Sequence, residues 1–112
     1  MLSVQKLQKI IKNGGATLRR DGEAVNYTDG YQVSKRDCYI IDIADTAKLS
    51  EAVEDVLTTL NGREYCGIWI NDGNAYIDVS VRLADKGEAL KMGRKLNQIS
   101  IFDWATGDGI NC

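Results

Sequence analysis

The run from Cys66 to Trp104, CGIWINDGNAYIDVSVRLADKGEALKMGRKLNQISIFDW, constrains this chain more than any other part of it. Tyr65–Ile70 and Asn74–Leu83 read as strands. Asn71-Asp72-Gly73 between them supplies the positive φ angles of a tight hairpin. Asp85 then caps a helix, and Glu88 three residues on completes a capping-box pattern. Ala89, Leu90, Gly93 and Leu96 form its sheet-facing side, and Ile99–Trp104 reads as a further strand. Antiparallel strands followed by a covering helix place the chain in the α+β class.

The preceding residues extend that pattern. Ser3 caps a helix over residues 3–13 whose apolar side is Val4, Leu7, Ile10 and Ile11, and Asn13-Gly14-Gly15 stops it. Ala16–Arg19 and Glu23–Tyr27 read as a hairpin about Arg20-Asp21-Gly22. Tyr31–Ile43 is a longer strand, interrupted at Lys35-Arg36-Asp37 where a bulge is expected. The central helix starts at Asp45 or Thr46, presents Leu49, Ala52, Val53, Val56, Leu57 and Leu60, and ends at Asn61-Gly62. Thr106-Gly107-Asp108-Gly109 is a turn before a short tail. The expected order is α-β-β-β-α-β-β-α-β, one domain over residues 1–112, two layers deep, with helices on one face of a mainly antiparallel sheet.

Composition narrows the chemistry. There is no histidine, so neither a Ser-His nor a Cys-His nucleophile can be built within one chain. The three cysteines, Cys38, Cys66 and Cys112, are odd in number and widely spaced, which fits neither a disulfide framework nor a zinc knuckle. Cys38 and Cys66 read as small core residues and Cys112 as exposed. The expectation is no catalytic residue, no cofactor, no metal and a melting curve indifferent to EDTA. No apolar run reaches the roughly 20 residues of a membrane span. The N-terminus lacks the apolar core of a signal peptide. A cytoplasmic location follows as an expectation.

Charge is unevenly spread behind a net −2. Residues 1–36 carry seven bases and three acids, residues 37–78 two bases and nine acids, and residues 79–112 five bases and four acids. A dedicated nucleic-acid binder shows a basic stripe; here a basic face and an acidic face are expected instead, with no direct nucleic-acid binding. Glu51, Glu54 and Asp55 stand on the polar side of the central helix, with Asp42 and Asp45 near its start. Like charges at this spacing repel by a few tenths of a kcal/mol per pair, and a basic protein partner would relieve them. These five residues form one candidate partner surface, although a solvated helix face explains the helical three more simply and the helix start explains the other two.

A second candidate is the strand face bearing Tyr76, Asp78 and Ser80, with Trp69 beside it. Three polar-tipped groups in a row can line the site of a small-ligand or nucleotide-binding protein or of a weak enzyme. They can equally be the wet face of an antiparallel sheet. The remaining aromatics are not interleaved with arginine and lysine, so packing accounts for them better than base stacking.

Three segments carry a resemblance: Leu7–Thr17 (LQKIIKNGGAT), Asp29–Ser34 (DGYQVS), and the run from Gly67-Ile68-Trp69-Ile70 to Asn97–Trp104 (NQISIFDW). Together they resemble small proteins encoded by phages, prophages and conjugative elements of Gram-positive and gut bacteria. The resemblance implies a small accessory protein that blocks host defence or modulates a host enzyme by binding. Some anti-CRISPR proteins share this size and α+β build. No catalytic residue carries over.

Overall fold

The computed structural model describes residues 2–112. Among them are three helices and six strands. Helix α1 spans Val4–Asn13, β1 Gly15–Leu18, β2 Tyr31–Asp42, α2 Thr46–Thr59, β3 Glu64–Asn71, β4 Asn74–Leu83, α3 Lys86–Lys95, β5 Ser100–Asp103 and β6 Asp108–Asn111. Each helix begins on the residue whose side chain serves its first turn. Ser3 accepts from the Lys6 amide, Asp45 from the Lys48 amide and Asp85 from the Glu88 amide.

The strands form one antiparallel sheet in the order β1-β3-β4-β2-β5-β6. The β3–β4 hairpin turns on Asp72 and Gly73, with φ of 50° and 77°; both are positive, as the type I′ turn demands. Strand β2 slips register twice against β4, between Ser34 and Arg36 and between Asp37 and Tyr39. The expected interruption at Lys35-Arg36-Asp37 is therefore a pair of bulges.

All three helices cover the same side of the sheet. Leu7 of α1 and Leu49, Val53, Val56 and Leu57 of α2 pack on Cys66, Ile68, Ala75, Ile77 and Val79. Ala89 of α3 packs on Val33 and Ile101. Residues 33, 77, 79 and 81 share one side of their strands, because Val33 pairs with Val81 and alternation carries that side along β4. The domain is thus a two-layer α+β structure, and among the described residues no helix lies on the other side of the sheet.

Four expectations are corrected. Residues 23–27 form no strand; the pairing with β1 is a single bridge from Leu18 to Ala24, in which the Val25 amide donates to the Thr17 carbonyl and the Arg19 amide to the Glu23 carbonyl. The final residues are not a tail but strand β6, which hairpins with β5. Helix α2 ends at Leu60 in extended conformation, φ −71° and ψ 138°, with the Glu64 carboxylate accepting the Asn61 amide, and no left-handed glycine is used. Cys112 is half-buried, its sulfur against Gly93.

Candidate functional site on the open face of the sheet

The helix-free side of the sheet is ordered in cross-strand rows fixed by register. One row runs Gly15, Trp69, Tyr76, Ile40 across β1, β3, β4 and β2. On one flank lies Asn71, Asn74, Asp42, and on the other Thr17, Gly67, Asp78, Asp37. Beyond these come Tyr65, Ser80, Ser34 and then Arg82, Gln32, Phe102.

The first row is apolar and open. Ile40 is 64% exposed and Trp69 58%. Trp69 leans on Tyr76 with ring centroids 5.4 Å apart, and glycine at position 15 leaves the β1 end of the row bare. No lysine or arginine occupies this row or either flanking row, whereas Asp42, Asp37 and Asp78 do.

Asp78 sits in the next row in an unusual setting. Gly67 opposite it has no side chain, and a Cβ there would overlap Asp78 Oδ1, so the carboxyl lies across β3. Asp78 Oδ1 and Ser34 Oγ are both buried and neither reaches full hydrogen-bond geometry, although the Ser34 hydroxyl and the Gly67 amide lie near enough to act on the carboxyl. Burial pushes the Asp78 carboxyl above the usual carboxylate range, and Asp37 adds to this. The Ser34 hydroxyl and Gly67 amide pull the other way without reversing the shift.

The far end of the same face is closed. The 19–30 segment folds back so that the Arg82 guanidinium lies 4.3 Å from the Tyr27 ring centroid. Tyr27 shares a 2.6 Å hydrogen bond with the Tyr65 hydroxyl and meets Trp104 edge-on. Trp104 Nε1 donates to Gln32 Oε1, and Gln32 Nε2 donates to Ser80 Oγ. Ser80, 3% exposed, is therefore a buried structural acceptor. The structure keeps Trp69, Tyr76 and Asp78 together, with Ser80 in the row beyond Asp78, buried and engaged by Gln32. Sequence reasoning did not single out Ile40, Asp37, Ser34 or Gly67; the signal for the first was its opposite phase to Tyr39 and Ile41.

The acidic set divides. Asp42 Oδ1 accepts the Ala44 amide and Asp45 caps α2; the two line an open hollow of about 450 Å³ with Ala44, Thr46 and Ala47. Glu51 and Asp55 are exposed on α2 and Glu54 is half-buried. Asp55 accepts the Tyr39 hydroxyl, which holds that phenol above its ordinary pKa. A second hollow, about 430 Å³, is lined by Arg19, Arg20, Asp21, Gly62, Glu64 and Tyr65. Neither hollow reaches Trp69, Tyr76 or Asp78.

Among the described residues, no group of three or more cysteine, aspartate and glutamate side chains is placed to hold a metal ion, and no helix is long and apolar enough to cross a membrane. Comparison with known protein families, with curated proteins and with solved structures finds no match.

Proposed function

We propose that this chain is a small non-catalytic binding protein that receives a basic protein partner on the open face of its sheet. The observation that carries this reading is the exposed apolar row Ile40, Tyr76, Trp69, set between acidic rows. Aromatic residues with acidic neighbours suit a partner that offers arginine or lysine among apolar side chains. Charge argues against the other occupants. A second copy face to face would bring Asp37, Asp42 and Asp78 against themselves, and nucleic-acid phosphates would meet the same carboxylates. A protein surface that is basic because it binds nucleic acid fits. Occupying it makes this chain a stoichiometric inhibitor, the role implied by the resemblance to proteins of mobile elements. The α2 carboxylates Glu51, Glu54 and Asp55 stand on the helix layer, on the other side of the sheet from this contact.

The test uses a defined basic, apolar peptide, acetyl-(Leu-Arg)₃-amide, titrated at low salt into isotopically labelled protein. Saturable NMR shifts are expected at the Trp69 indole and at the amides of Ile40 and Tyr76. They should weaken as salt rises, because exposed charges are screened over about 8 Å at physiological ionic strength. The Ile40→Ser/Trp69→Ala double variant should lose the binding while staying folded. Unchanged affinity in that variant, or no saturable shift at these three residues, overturns the assignment.

A further inference from the structure

The Asp78 niche has the marks of a group held at a cost to the fold. A carboxylate stands on a central strand, its Oδ1 shut off from solvent and without a partner in full hydrogen-bond geometry. The glycine opposite is the only residue that leaves it room. Strand β2 bulges twice in the rows where Asp78 and its neighbours lie, and bulges commonly re-aim side chains beside functional sites. The second buried orphan, Ser34 Oγ, is on β2, on the residue that flanks the first bulge, one row away. Native proteins seldom leave such acceptors unmet. Where a chain breaks a local rule without internal compensation, function is the usual reason.

What the niche lacks is a cation with several donors. The rows around it hold no lysine or arginine, and Asp37 adds a like charge beside it. It also adjoins the apolar row, with Trp69 one row away on β3 and Tyr76 two residues away on β4.

From this juxtaposition we infer that Asp78 and Ser34 form a receptor for one guanidinium group, an arginine delivered by the partner docked on Ile40, Tyr76 and Trp69. The inference rests on the open-face reading above. A guanidinium is planar and weakly hydrated, and its forked donors serve a carboxylate and a neighbouring hydroxyl at once. Its stem and its flat face pack on aromatic rings, which the adjoining row supplies. The terminal torsion of aspartate is broad, so the carboxyl turns out of the Gly67 recess towards an arriving cation at little cost. Lysine, a compact and strongly hydrated point charge, satisfies the pair less well.

The experiment compares affinity and stability in the same variants. Asp78→Asn keeps the shape and removes the charge. Asp108→Asn removes the same charge from the β6 edge and serves as the control. With acetyl-(Leu-Arg)₃-amide as probe, Asp78→Asn should bind about tenfold or more weakly, the scale of one lost charge-assisted hydrogen bond, while melting at a higher temperature than the native protein at pH 7. Asp108→Asn should change affinity less than about twofold, as a screened surface charge does. The lysine counterpart peptide should bind the native protein more weakly than the arginine one. In the bound state the Asp78 carboxyl carbon should titrate at lower pH than in the free protein. Asp78→Asn that binds like the native protein while Trp69→Ala fails to bind overturns the receptor and leaves the docking surface standing. Asp78→Asn that loses stability and affinity together shows a purely structural carboxyl and also overturns it, as does equal affinity for the two peptides. Loss of all peptide binding by the native protein removes the docking surface itself.

Discussion

Gly67 and Asp78 face each other across β3 and β4, and the missing side chain of the one is the space occupied by the carboxyl of the other. This pairing joins the architecture of the sheet to its candidate site. Gly67→Ala should destabilise the domain by about 1–3 kcal/mol, the usual cost of forcing extra volume into a filled position. At this chain length that lowers Tm by several degrees. Adding Asp78→Ala should recover most of the loss, since contacting residues do not act additively. A double-mutant cycle in urea checks it; additive losses would mean that the glycine serves the backbone and not the carboxyl.

The pH dependence of Asp78 has a definite sign. Its folded-state pKa is raised above the ordinary 3.8, so the native state holds the proton more tightly than the unfolded chain. Its favourable contribution is complete below the unfolded value and is lost as pH rises through the folded one. Asp78→Asn does not titrate. Its Tm advantage over the native protein should be greatest near neutral pH and should close as pH falls towards 3.8. Melting curves across pH 3.5–7.5 measure this, and an advantage that grows on acidification refutes it.

Glu64 behaves oppositely. It is 7% exposed, takes Lys35 Nζ at 2.6 Å and accepts the Asn61 amide at the end of α2. Lys35 foremost holds its carboxyl below the usual 4.5. The resulting stability is present above the unfolded value and lost as pH falls through the folded one. Glu64→Gln should therefore cost about 1–3 kcal/mol at pH 7, the scale of a hydrogen bond to a charged group. The gap should shrink in acid. Denaturant unfolding at pH 7 and at pH 3.5 gives both numbers, and equal gaps would exclude the ion pair as the cause.

The apolar stripe of α2 is the main support of the helix layer. Leu57, 7% exposed, packs among Val53, Val56 and the sheet core. Leu57→Ala should cost about 2–5 kcal/mol. A Tm shift under about 2 °C would place Leu57 outside the core, since 1 kcal/mol moves a domain of this size by roughly 4–8 °C.

Local chemistry determined much of this protein. The caps at Ser3, Asp45 and Asp85 begin the three helices because their side chains satisfy amides that a first turn leaves unpaired. Asp72-Gly73 makes the β3–β4 hairpin because both residues tolerate positive φ. The break in apolar alternation at Lys35-Arg36-Asp37 marks the β2 bulges. Tertiary structure decided what these signals do not encode. Asp108–Asn111 becomes a strand only because β5 offers it an edge, and Glu23–Tyr27, with a stronger hairpin signal, becomes a strap because Tyr27 gains Arg82, Tyr65 and Trp104. Alternation along β4 showed that Tyr76, Asp78 and Ser80 share a side. It could not say which side the helices would leave bare, nor that the strap would bury Ser80 while Trp69 stayed in the open. The Asp72-Gly73 hairpin already carries the register that sets Gly67 against Asp78, whereas pairing β4 with β2 is a long-range choice, and it alone sets Ile40 beside Tyr76. A strand carries its own period in its sequence, but its neighbours and its cover belong to the whole chain.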